Sequence, residues 1–235
     1  MRKPSTPSAP RLDIYASIHK GLRAMMMDTL SAVGRADARD SADLHAACER
    51  VLMLCDTCAS HLEHENEFIH PVMEAYQPGS TAQVAADHED HLAAITDLCA
   101  MARALRTARP GTVPVQQQAV TALYRKLALF VAENFVHMHA EEAEHNPVLW
   151  ASHGDAELRA LEGRIAASLP PAQHLLFMRW MVPALPPTER AALLAGLQAT
   201  APPPALAAVL DTVRPHLSPG DWGALNSALT QVSTS

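Results

Sequence analysis

Apolar residues recur every three to four positions through most of this chain, the period of helices that bury one face. Four long stretches carry the pattern. The first runs from Asp13 to Val33 and stops near Gly34. The second runs from Ser41 to Tyr76 and stops at Gln77-Pro78-Gly79. Ser80 or Thr81 caps the third, which reaches Ala108 and ends at Pro110-Gly111; the fourth starts near Pro114 and fades after Trp150. Short Pro/Gly connections between long helices favour antiparallel neighbours. The pattern therefore predicts an all-α fold, an up-down-up-down four-helix bundle over residues 12–150. Residues 1–11 are rich in Pro and Ser without periodicity and read as a flexible arm. Residues 155–231 change character: proline clusters at Pro170-Pro171, Pro186-Pro187, Pro202-Pro203-Pro204 and Pro219 separate short amphipathic runs. Proline suits the first turn of a helix and ends the one before it. Five short helices in an appended C-terminal subdomain are expected.

The inward stripes of the four long helices are broken by groups that do not belong in an apolar core. The first stripe reads Tyr15, His19, Leu22, Met26, Thr29, Val33, and the second Val51, Leu54, Cys58, His61, Glu65, Phe68, Val72. The third reads Val84, His88, His91, Ile95, Leu98, and the fourth Leu127, Phe130, Asn134, His137, Glu141, Val148. A buried unpaired carboxylate is costly, and cations shared among imidazoles and carboxylates remove the cost. His61 and Glu65 are four residues apart, as are His137 and Glu141, so each pair lies on one helix face. In an antiparallel bundle, His19 and His88 early in their helices meet His61 and His137 late in theirs. A repeat supports the match: His61-x3-Glu65-x5-Pro71-Val72 recurs 76 residues later as His137-x3-Glu141-x5-Pro147-Val148. Neutral imidazole with carboxylate suits iron, manganese or zinc better than calcium.

Composition narrows the function classes. Aromatics are 4% and glycines number 9, which disfavours a large β-sheet. Lys+Arg 18 against Asp+Glu 25 gives a net charge of −7, which argues against nucleic acid as the partner. The start of the chain has no apolar run after its basic residues, and no run approaches the ~20 apolar residues of a membrane span. With only four cysteines as well, the expected location is cytoplasmic, with no membrane partner. Cys55-x-x-Cys58 lies in a helical pattern and reads as core thiols. Of the 13 histidines, His45, His70, His153, His174 and His216 are expected to be surface or satisfied core residues. His64, His139 and His145 flank the stripes, on a solvated face or as donors behind the ligands, and Glu142 is the adjacent carboxylate to test.

The chain resembles the hemerythrin-like, or HHE cation-binding, proteins. The resemblance rests on the segments around His19, on His61-x3-Glu65 with Pro71, on Asp87-His88 with His91, and on His137-x3-Glu141 with Pro147. It implies a four-helix bundle around a non-heme, oxygen-bridged pair of iron ions that binds O2 or a related small oxidant. By that resemblance His19, His61, His88 and His137 are terminal ligands and Glu65 and Glu141 are bridges, with His91 a further candidate. The third-helix spacing His88-x2-His91 and the fourth-helix spacing of four to Glu141 depart from the oxygen carriers, which have His-x3-His and an aspartate five residues on. The expected function is therefore binding of O2, peroxide or nitric oxide in sensing, scavenging or storage, rather than reversible oxygen carriage. Two alternatives stand beside it. One is a di-iron oxidase or oxygenase; the other is an iron-responsive protein that docks a protein partner, or a second copy of itself, through its C-terminal helices.

Overall fold

The computed structural model describes residues 11–107 and 113–233. The expected arm, apart from Arg11, and the Pro110-Gly111 turn lie outside the described residues. The described chain is helical, without strands. Its first rod is α1, Ala16–Arg35. The second rod begins as α2, Ser41–His64, passes through a π-helical turn at Glu65–Ile69 and continues as α3, His70–Tyr76. The third is α4, Ala82–Thr107. The fourth begins as α5, Val113–Ala140, passes through a π turn at Glu141–His145 and ends as α6, Asn146–Ser152.

Local chemistry sets the ends of these rods. Asp40 caps α2, its side chain accepting from the backbone N–H groups of Ala42 and Asp43. The turn into α4 needs Gly79, whose φ of +84° is open to glycine. There the Glu74 carboxylate accepts from the N–H groups of Gly79 and Thr81 and from the Thr81 hydroxyl. Both π turns precede a proline. Pro71 and Pro147 have no N–H to give, and in a regular α-helix their rings would press on the carbonyls of Glu67 and Ala143. The ladder widens instead: His70 N–H bonds to the Glu65 carbonyl and Asn146 N–H to the Glu141 carbonyl.

Helix α1 packs on α2 and α5, α2 on α4, and α4 on α5, which closes the four rods into a ring. Two apolar clusters fill it. The larger holds Leu22, Met25, Met26, Val51, Leu54, Leu98, Leu123, Leu127 and Phe130. The smaller, at the other end, holds Ile14, Tyr15, Ile69, Met73 and Leu149. Along the first, second and fourth rods the inward histidines and glutamates fall between residues of these two clusters, and on α4 His88 and His91 precede its residues of the larger one.

Beyond the bundle come α7 (Asp155–Ser168), α8 (Pro171–Ala184), α9 (Pro187–Thr200), α10 (Pro203–Val213) and α11 (Pro219–Ser233), the five short helices expected. A third core of Met178, Val182, Leu194, Val209, Val213, Leu225 and Leu229 joins the last four. Two of the five also reach into the bundle. Leu158 and Leu161 of α7 lie in the smaller cluster, and Phe177 of α8 lies in the larger one. Helix α8 lies along α1, close enough that a Cβ on Gly21 would stand 3.0 Å from the Met181 backbone. No described helix is long and apolar enough to cross a membrane.

Candidate metal centre

Between the two bundle clusters lies a layer of buried polar groups. His19, Glu65, His88, His137 and Glu141 are at most 3% exposed, and His61 is 9% exposed. They come from all four rods. One donor atom each from His19, His61, Glu65 and Glu141 lies within 4.8 Å of the others. The same holds for Glu65, His88, His137 and Glu141. Both glutamates thus belong to both groups, while each group has its own pair of imidazoles, one pair from each helical hairpin.

The imidazoles point their Nε2 atoms at the carboxylates. His61 Nε2 is 3.2 Å from Glu65 Oε1, and His19 Nε2 is 3.4 Å from Glu141 Oε2. His137 Nε2 lies 3.5 Å from Glu141 Oε2, and His88 Nε2 3.6 Å from Glu65 Oε2. The Nε2 atoms of His88 and His137 are themselves 3.1 Å apart.

The opposite ring nitrogens are held from behind. His19 Nδ1–H donates to Glu142 Oε1 at 3.0 Å, and Arg23 donates to both oxygens of that carboxylate. His88 Nδ1–H donates to Asn66 Oδ1 at 2.9 Å. His137 Nδ1 stands 3.6 Å from Asp87 Oδ2. An acceptor behind a ring fixes its tautomer and aims the other nitrogen's lone pair inward. Glu142 is therefore the positioning group for His19.

Burial decides the protonation of the layer. It pushes the Glu65 and Glu141 carboxyls up, Glu141 to about 8. Burial pulls the imidazoles down, His88 to about 2 and His137 to about 4, with neighbouring imidazoles adding to the effect, and it lowers His19 and His61 as well. Half-burial opposes the charge on Glu142, but hydrogen bonds from His19 and Arg23 outweigh it and hold that carboxyl at about 2. At neutral pH the layer offers neutral imidazoles, which is the ligand form.

These residues fit a cation pair. His19 Nε2, His61 Nε2 and both oxygens of Glu65 and of Glu141 are buried without a hydrogen-bond partner. Buried polar atoms are otherwise paired as a rule, so a cluster of such atoms calls for a positive charge. Four imidazoles with two carboxylates suit iron, manganese or zinc.

Of the seven candidates read from the sequence, the fold brings six into these groups and leaves His91 out. The His91 ring stands edge-on to His137, with centroids 4.8 Å apart, and lines with His137 a groove of about 630 Å³ between α4 and α5. Three residues from His88 on one helix, it shares the inward face without reaching the carboxylates. His70 and His145 correct the sequence reading in the other direction. Both are buried, and with Glu141 they form a third group of donors within 4.8 Å of one another. His145, four residues after Glu141, was within reach of the spacing rule; His70 was not. Tyr15, fully buried, meets His145 Nδ1 with its hydroxyl at 3.1 Å. The remaining histidines stay outside the layer, His45, His139 and His216 on the surface and His64 on the Ser60 carbonyl. All four cysteines are buried free thiols, and burial raises Cys58 to about 12, as core residues require.

No curated protein and no solved structure matches the chain. The model of the hemerythrin HHE cation-binding domain matches residues 12–149, the span of the four rods and both π turns. With that match over the residues that build the buried histidine–glutamate layer, the chain belongs to the hemerythrin HHE cation-binding family.

Proposed function

We propose that the protein is a non-heme di-iron protein that binds O2 or a related small oxidant, peroxide or nitric oxide, in a sensing, scavenging or storage role. The observation that carries this reading is the sharing of Glu65 and Glu141 between two separate pairs of imidazoles. Two cations side by side, each with its own histidines and a common pair of carboxylates, account for that sharing. His19, His61, His88 and His137 serve as terminal ligands and the two glutamates as bridges, with manganese or zinc as the alternatives to iron. When bound, the iron pair supplies the electrons and the coordination position for a small oxidant.

The chain's own residues do the rest. Glu142 with Arg23, Asn66 and Asp87 keep three of the rings aimed inward. The apolar clusters above and below exclude water. Ligands that are at most 9% exposed admit a small molecule far more readily than an organic substrate, which favours this reading over a dedicated oxidase. The groove between α4 and α5 reaches His137 from the outside and gives such a molecule an approach.

A second reading has one observation in its favour. Helix α1, which carries His19, is clasped from outside by α8, and Lys20 pairs with Glu189 of α9 at 2.6 Å. Occupancy at His19 thus bears on a helix that the C-terminal core rests on, as an iron-responsive interaction protein requires.

Elemental analysis with absorption spectra of iron-loaded protein tests the proposal. At least two iron equivalents, and a near-ultraviolet or visible band that changes on exposure to O2, peroxide or nitric oxide, are expected. His61→Ala with Glu65→Ala should lose the metal. Two equivalents retained by that double variant would overturn the assignment.

A further inference from the structure

His70 and His145 lie against the centre but belong to neither pair of imidazoles described above. His70 opens α3 and its N–H closes the first π turn onto Glu65; His145 is the last residue of the second π turn. They are 7% and 2% exposed. Their rings meet edge-on with centroids 5.8 Å apart, and His70 stacks on His88 at 5.1 Å. One nitrogen of each and one oxygen of Glu141 lie within 4.8 Å of one another.

Two details mark these rings as ligands rather than packing. His70 Nε2 is buried without a hydrogen-bond partner, as are the inward-facing Nε2 atoms of His19 and His61 in the neighbouring group of donors. His145 Nδ1 is engaged by the Tyr15 hydroxyl at 3.1 Å. When Nδ1–H donates to the phenolic oxygen, Nε2 keeps its lone pair, which is how proteins hold a ligating imidazole.

We propose that His70, His145 and Glu141 form a third cation position beside the carboxylate-bridged pair. This rests on the reading that the bridged pair itself holds metal. Two imidazoles and one carboxylate with positions left open suit a first-row divalent ion, iron(II) above all, and do not suit calcium. Glu141 divides its charge among all three positions, and the third ion meets the repulsion of two neighbours. The third position therefore fills last, about tenfold or more weaker than the first two. It gives the centre an ion it can take up and release without dismantling the pair.

The test is an anaerobic titration of the chelator-stripped full chain with iron(II), with equivalents counted by equilibrium dialysis and elemental analysis. Zinc(II) serves as a redox-silent second probe. Wild type should bind three equivalents, the last more weakly, and His70→Gln with His145→Gln should bind two. Saturation of wild type at two, with both lost in His61→Ala/Glu65→Ala, would overturn the third position and leave the pair standing. A third equivalent that survives in the His70/His145 variant would place that ion elsewhere and overturn it too. No binding by wild type would remove the parent reading along with this one. If the double variant does not fold, the single variants His70→Gln and His145→Gln make the same decision: each should weaken or lose the third equivalent alone, and an unchanged third equivalent in both would overturn the proposal.

Discussion

Replacing Glu141 by glutamine should remove a loss of stability that this carboxyl imposes on the metal-free protein as pH rises above 6.5. Burial holds this carboxyl at about 8, against an ordinary 4.5. Between pH 6.5 and 8 the unfolded chain therefore carries Glu141 ionised while the native state still holds its proton. The native state binds one more proton, so stability is fully present below the unfolded carboxyl range and is lost as pH climbs towards 8. The slope is ~1.4 kcal/mol per pH unit, or ~2 kcal/mol over this window. For a chain of 235 residues that is a fall in melting temperature of ~4–8 °C. The buried histidines act with the opposite sign. Burial keeps His88, His137 and His145 at or below about 4, so they are neutral in the native state. In the unfolded chain they are about half protonated at pH 6.5 and neutral only towards pH 8. The stability this adds as pH rises is common to wild type and variant and cancels when the two are compared. Glu65, raised by the same burial and by its Glu141 neighbour, adds to the wild-type slope. Glu141→Gln removes one titration outright and relieves Glu65 of a like charge, so between pH 6.5 and 8 the variant should gain about 2 kcal/mol or more on wild type. Thermal melts of chelator-stripped protein between pH 6.5 and 8 read this directly. A variant whose melting temperature runs parallel to that of wild type across this window would show that Glu141 ionises freely in the native state, and the dry carboxylate layer would be a misreading.

Metal loading reverses the sign, because the cations take the place of the carboxyl protons. At pH 7 loading should release at least one proton, seen by calorimetry in two buffers of different ionisation enthalpy; a binding heat indifferent to buffer would contradict it. Glu142→Gln, which takes the charge from behind His19, should weaken metal binding by about 10–100-fold while leaving the saturating number of equivalents unchanged. Gly21→Ala gains helix propensity of up to ~1 kcal/mol but sets a Cβ 3.0 Å from the Met181 backbone. Overpacking typically costs ~1–3 kcal/mol, so a lower melting point with normal metal content is expected; a rise would mean that α8 is not seated on α1. Removing residues 155–235 should leave every proposed ligand in place but uncover Tyr15, Ile69, Met73 and Leu149. The truncated bundle should therefore melt earlier than the full chain, and an unchanged melting temperature would show that α7 contributes nothing to it.

The two His-x3-Glu pairs were legible because an α-helix puts positions four apart on one face, whatever surrounds the helix. The stripe also made His19 and His88 legible, since an imidazole between leucines and methionines has few reasons to be there. His91 shows the limit of that rule. It satisfies the same periodicity as His88, yet it lies beside His137 and outside the donor groups. Helical phase gives direction around one rod; distance to a common point depends on where the neighbouring rods stand.

His70 fails for a different reason. Five residues past Glu65, it falls roughly 140° around a regular α-helix from that glutamate, far from its face. The π turn widens the helix so that His70 N–H reaches the Glu65 carbonyl and the two residues come nearly into line. Pro71 and Pro147 were visible in the repeat, but a proline inside a helix can kink it, end it or widen it, and packing selects among these.

By itself the sequence determined the helices, the inward face of each rod and the residue types on that face, because these follow from chain-local periodicity and propensity. Only the tertiary structure decided which imidazoles share the two carboxylates, which groups hold them from behind, and that Tyr15 and His70 join them. Those outcomes depend on distances between side chains 22 to 130 residues apart in the chain, set by how the four rods pack and by where two prolines force them to widen.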